Sequence, residues 1–202
     1  MISPQVVTEP TVEPITVAEV KTHLRITHST EDTLLGTFIT SARSQFESLT
    51  GRTIHQTTLR IAFDRFPGGS DYYIELPRAS PLISVTSVVY LDKDGVSNTW
   101  GASNYIVDTL EDVGRIAPAH GIAYPSFTPY PLNAVRILYV AGIANGSPQT
   151  VADQSIRVAI QEMVGSLYLN REHVILGDNR ALFITNPVVA WLIDKCKVKR
   201  AF

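Results

Sequence analysis

The sequence predicts an α+β fold: a small helical bundle of about four helices, with an antiparallel β-rich subdomain inserted between helices 2 and 3. Three observations predict it. Apolar residues recur at helical spacing near both ends of the chain. Between Leu59 and Val140 they alternate or cluster as strand residues do. Helix-start signatures stand on either side of that block, at Thr16–Glu19, Thr150–Asp153 and Asn186-Pro187.

The elements follow in order. Pro4, Pro10 and Pro14 make residues 1–14 an extended N-terminal arm. Thr16-Val17-Ala18-Glu19 is a capping box, and Val17, Val20 and Leu24 carry a short helix to about Ile26. Ser29 or Thr30 caps a longer helix, with Glu31 and Asp32 at its positive end. Its apolar stripe is Leu34, Leu35, Phe38, Ile39, Ala42, Phe46 and Leu49, and Gly51 stops it. Leu59, Ile61 and Phe63 then alternate as in a half-buried strand. Pro67-Gly68-Gly69 breaks the run. Strands are expected over 72–76 and 83–91, and Asp92-Lys93-Asp94-Gly95 is a hairpin turn. Further strands fall at 104–107, 115–116 and 134–140, with Pro118, Pro125, Pro129 and Pro131 marking loops. Helix returns after Thr150, with Ile156, Ile160, Met163, Val164, Leu167 and Tyr168 on its apolar face. Asn186-Pro187 opens the last helix, where Val188, Val189, Leu192 and Ile193 face inward and Trp191 adds to that face. The helical bundle thus takes 15–52 and 148–198, and the β-rich insertion takes 53–147. A basic tail spans 195–202.

Composition narrows the function classes. The 202 residues suit one domain, or one domain with a large insertion. Apolar residues are 45% and charged residues only 18%, a low charge content that points to surface buried against copies or partners. A net charge of −2 carries no global basic signature for nucleic-acid binding. Cys196 is the one cysteine, which excludes an internal disulfide and argues against a cysteine-based zinc site. The start has neither a positive n-region nor an apolar h-region, and no apolar run is long enough to span a membrane. A soluble protein of a reducing compartment is expected.

Candidate chemistry is sparse. Arg171-Glu172-His173 places an acid and an imidazole side by side, but neighbours on a helix point in different directions and do not converge. A basic helix C-terminus has an electrostatic reason of its own. His23 and His28 are five apart, not the three or four that stack ligands on a helix, and no HExxH occurs. There is no GxSxG, GxxxxGK[ST] or GxGxxG. The twelfth position of a calcium loop starting at Asp92 is Ser103, so a plain turn stands there. Cys196 between lysines reads as a half-buried thiol on the last helix. No cofactor and no metal are expected. The tail places Lys195, Lys197, Lys199 and Arg200 around Val198 and before Phe202. It reads as a solvated helix end, a docking peptide for an acidic groove, or a weak nucleic-acid contact. The stretch 174–184 has loop residues yet is apolar; Ile175, Leu176, Leu182, Phe183 and Ile184 are buried in the chain's own core or against a neighbour.

These residues together resemble the head–tail connector, or adaptor, proteins of long-tailed double-stranded DNA phages and gene transfer agents. EPITVAEVKTHLRI and EDTLLGTFITSARSQFESLTGR resemble the family's first two helices. IELPRASPLISVTSVVYLDKDG, then NYIVDT, GRIAPA and NAVRILYVAG, resemble its β-block, and IRVAIQEMVGSLYLNRE its third helix. The resemblance covers nearly the whole chain; residues 174–185 and the ending VKRAF depart from it.

The resemblance implies a structural virion protein rather than an enzyme. It implies a homo-oligomeric ring of about twelve subunits under the portal, at the neck of a particle assembled in the bacterial host cytoplasm. Such a ring extends the DNA channel and joins the capsid to the stopper or tail proteins. DNA passes through its lumen without sequence-specific binding, and no membrane is involved. On this reading Tyr168, Asn170, Arg171 and Glu172 form a helix-end network, and Ile175, Leu176, Leu182, Phe183 and Ile184 meet a neighbouring subunit. Lys195, Lys197, Val198, Lys199, Arg200 and Phe202 engage the portal. A near-neutral or acidic wall suits sliding DNA, and Glu31, Asp32 and Glu162 are candidates to line it. The alternative is a stopper or tail-completion protein of the same neck; an enzyme using His173 and Glu172 lacks a nucleophile.

Overall fold

The computed structural model describes residues 3–67, 72–143, 151–170 and 187–198. The chain divides into two units: Met1–Thr11, Gly51–Asn145 and Val198–Phe202 in one, and Val12–Thr50 with Gly146–Lys197 in the other. The strands that fill the first lie, apart from the N-terminal one, between helices 2 and 3 of the second, so the fold is α+β as the sequence predicts.

Among the described residues the helical unit has four helices: α1 (Val17–Leu24), α2 (Asp32–Thr50), α3 (Val151–Leu169) and α4 (Pro187–Cys196). Thr16 caps α1 through a complete capping box: its hydroxyl accepts from Glu19 N at 3.2 Å, and Glu19 Oε2 accepts from Thr16 N at 2.8 Å. Arg25 ends the helix in the left-handed conformation. Helix α2 packs on α1, α3 and α4, and α3 also packs on α1 and α4. Leu35, Ile39, Ala42 and Phe46 of α2 and Ile156, Ala159, Ile160 and Val164 of α3 are all buried, each burial stabilising by roughly 2 kcal/mol for the larger side chains. Gly165 is buried; a Cβ there would lie 3.4 Å from Leu24, which is the close approach its smallness permits.

Three apolar expectations need correction. Leu49 is exposed, although Glu47 and Thr50 in the same last turn of α2 are buried. Val188 and Trp191 point outward; only Leu192 and Cys196 of α4 are fully buried, with Val189 and Ile193 half-buried. A ten-residue helix with one neighbouring face cannot bury apolar residues all round.

Among the described residues the β unit holds two sheets. Strands β1 (Gln5–Thr8), β2 (Thr57–Phe63), β8 (Val135–Ala141), β4 (Leu82–Leu91) and β5 (Ser97–Trp100) form one antiparallel sheet in that order. Strands β3 (Ile74–Glu75), β7 (Arg115–Pro118) and β6 (Tyr105–Asp108) form a second. Central β8 alternates, burying Val135, Ile137, Tyr139 and Ala141. The β4–β5 hairpin turns where expected: Asp92 Oδ1 accepts from Asp94 N and Val96 N, and Gly95 sits at φ +78°. The strand expected over 72–76 is only two residues long, since Tyr72 and Tyr73 are exposed and unpaired with β7. The N-terminal arm carries β1, whose pairing with β2 its prolines conceal in the sequence.

Candidate assembly surfaces

Several polar clusters fix the helical unit. Arg43 and Glu47, one turn apart on α2, are both buried and lie 3.3 Å apart; Arg43 Nε also donates to Glu13 at 2.8 Å. Arg157 of α3 donates to Pro14 O at 2.7 Å and pairs with Glu19. Thr16 backbone and side-chain donors, then Arg157, hold the Glu19 carboxyl below its usual range. Lys21 pairs with Asp32 at 2.8 Å. His23 lies 3.6 Å from Glu162, and His28 3.8 Å from Glu31. Glu31, Asp32 and Glu162, the candidate lumen carboxylates, therefore all make contacts within this unit.

The helix-end residues show what they do as far as residue 170. Tyr168 donates to Glu31 Oε2 at 2.6 Å. Asn170 closes α3, its backbone and side-chain N–H groups both donating to Ser166 O at 3.0 Å. Arg171 and Glu172 lie outside the described residues, as do Ile175, Leu176, Leu182, Phe183 and Ile184. Of the tail, Lys199, Arg200 and Phe202 also lie outside them. Lys195 and Lys197 are exposed. Val198 is half-buried, its methyl 3.8 Å from where a Gly51 Cβ would stand.

Two exposed features escaped the sequence reading. The outer face of α4 shows Val188, 51% exposed, and Trp191, 60% exposed, with Lys195 Nζ 5.2 Å from the Trp191 ring centre. In the β unit, the connection from β6 to β7 presents Leu110, 96% exposed. That connection is braced. Asp108 accepts from Leu110 N at 3.0 Å and from Arg115 Nε at 2.8 Å, and these bonds hold its carboxyl below the usual range. Arg115 also reaches Glu111 at 3.2 Å and lies 5.0 Å from the Tyr73 ring centre. Asp112 takes Arg52 at 2.8 Å and the buried Ser80 hydroxyl at 3.1 Å. The sequence signal was Asp-x-Leu-Glu-Asp, acidic around one leucine, between two short strands.

Among the described residues no cluster of three or more His, Cys, Asp or Glu could hold a metal ion. Among them, too, no helix is long and apolar enough to cross a membrane. The geometry is that of packed elements and outward faces.

No curated protein matches the chain. Solved structures do. A chain from the neck of an empty gene transfer agent particle, computed with C6 symmetry, is similar with a TM-score of 0.75 at 20% identity, covering 100% of this chain and 98% of that one. A chain of the virion of a native gene transfer agent particle gives the same values. A chain from the neck of a native particle, computed with C12 symmetry, has a TM-score of 0.70 at 20% identity, covering 100% and 97%. At this identity the likeness shows the fold alone. Residues 14–85, from the end of the arm through α1, α2, β2 and β3 into β4, match the model of the phage gp6-like head-tail connector protein family.

Proposed function

We propose that the protein is a structural component of a particle neck: a head–tail adaptor that forms a ring under the portal, extends the DNA channel and joins the capsid to the stopper and tail. The observation that carries this reading is the full-length fold match to chains of gene transfer agent necks, joined to the connector-family match over residues 14–85. Those neck structures were computed with C6 and C12 symmetry, which supports a closed ring of about twelve copies here. A ring subunit uses two different faces, and 18% charged residues suit a chain that buries both. The work is mechanical, with no turnover; Tyr168, Asn170, Arg171 and Glu172 serve as the end of α3. Residues 174–184 serve as a subunit contact, and the basic segment from Lys197 to Phe202 meets an acidic surface of the portal.

Mass photometry of the purified chain, alone and mixed with its portal, tests the reading. A portal-bound ring of about twelve copies is expected. A chain that stays monomeric in both samples removes the adaptor reading and leaves the stopper or tail-completion role.

A further inference from the structure

We propose that the loop between β6 and β7 of one copy seats on the outer face of α4 of a second copy, with Leu110 against Trp191 and Val188, and Glu111 toward Lys195. The inference rests on the ring reading and names the two faces the ring would join.

Leu110 is the starting point. At 96% exposure it gains nothing from its own fold, and its apolar surface stands in water. A single exposed leucine on a loose loop needs no explanation. Here the loop is held by Asp108–Arg115, Glu111–Arg115 and Asp112–Arg52 contacts and by the Asp108 turn to Leu110 N. A loop fixed beforehand loses little freedom on docking, so its apolar tip is an efficient anchor.

The receiving face needs an aromatic anchor and the opposite charge. Trp191 and Val188 lie one turn apart on α4, both more than half exposed, with the Lys195 ammonium over the indole. Around Leu110, Asp108, Glu111 and Asp112 outnumber Arg115 and Arg52 by one negative charge. At the end of α4, Lys195 and Lys197 outnumber Asp194 by one positive charge. Each surface is apolar at its centre and charged at its rim, with opposite sign. Two different complementary faces on one chain make a heterologous contact, the kind that closes into a cyclic ring.

The test uses the full chain titrated onto its portal, counting bound copies by mass photometry. Leu110→Ser and Trp191→Ala are each expected to raise the concentration for half-complete rings at least about tenfold. Combined, they should cost much less than the product of the two effects, because one contact is lost once. Glu111→Lys and Lys195→Glu should each weaken ring formation, and together should restore it to within about threefold. Circular dichroism checks folding; Leu110 is so exposed that its variants leave the fold intact, which keeps the test decisive even where Glu111→Lys disturbs Arg115. Normal ring formation in Leu110→Ser and Trp191→Ala overturns the contact while leaving the ring reading in place. So do fully multiplicative effects with no recovery in the charge swap, or intact rings that fail only to bind the next neck protein. A wild-type chain that never forms rings removes the ring reading and this contact with it.

Discussion

Arg43 is where a single residue matters most. Its guanidinium is 5% exposed and lies between Glu13 and Glu47, the latter 3% exposed at its side chain. Removing it takes away the cation that Glu13 and the buried Glu47 share, so Arg43→Ala should destabilise the chain by about 3–5 kcal/mol in urea denaturation. A loss below about 1 kcal/mol would show that Glu47 is satisfied by other groups. Glu19 makes a different prediction, through pH. Its folded pKa is lowered, chiefly by the Thr16 N–H and then by the Thr16 hydroxyl and Arg157. A lowered pKa means the unfolded chain takes up the proton first as pH falls. The stabilisation is therefore complete above the ordinary glutamate value of 4.5 and disappears as pH drops through the lower folded value. Glu19→Gln keeps a capping side chain but has no proton to gain, so its stability should fall less between pH 6 and pH 3 than the wild type's. Equal falls would mean Glu19 carries none of the acid sensitivity. The capping box was plain in the sequence because Thr16 and Glu19 are three residues apart. The buried Arg43–Glu47 pair was not: i,i+4 opposite charges on a helix ordinarily face water, and only packing on both sides reveals otherwise.

Whole elements were legible to the extent that their signals are local. Helix α1, helix α2 with its Gly51 stop, the β4–β5 turn and the Pro187 start of α4 follow from caps, periodicity and turn chemistry within a few residues. Strand β1 was read as a plain arm because its partner β2 lies about fifty residues on, a pairing no local pattern encodes. The orientation of α4 failed for the same reason. Val188, Val189, Leu192 and Ile193 allow several inward faces, and the neighbouring helices choose Leu192 and Cys196. That choice refines the tail. Cys196 is buried and Val198 half-buried, so they belong to the fold. Deleting residues 199–202 alone should leave the melting temperature unchanged and weaken portal docking at least about tenfold if Lys199, Arg200 and Phe202 are the anchors. Unchanged docking would reassign the portal contact to another surface. For the apolar stretch before α4, Phe183→Asp should lower the occupancy of portal-bound rings without unfolding the chain. Rings of full occupancy would instead place Phe183 outside the subunit contact.

On the proposed reading of a ring of about twelve copies, charge would decide how its channel treats DNA. Each chain carries a net −2, so about twelve copies carry about two dozen net negative charges. Phosphate binding gains its free energy mainly by releasing counterions to clustered cations. In the helical unit, Lys21, Arg43 and Arg157 are each already paired with a carboxylate. In the β unit, Arg52 and Arg115 are likewise paired. The basic segment after Asp194 is the strongest cationic feature of the sequence, and on the proposed reading the portal and the neighbouring copy cover it. The completed ring should then hold duplex DNA more weakly than roughly 10⁻⁴ M at physiological salt, below ordinary non-specific binders. The free chain, its tail uncovered, should bind somewhat better and lose that binding as salt rises. Fluorescence anisotropy of a labelled duplex, with the free chain and with portal-bound rings at two salt concentrations, measures both. Tight binding by the assembled ring with a steep salt slope would mean the lumen grips the phosphates. The channel would then be a brake on DNA movement rather than a passive conduit.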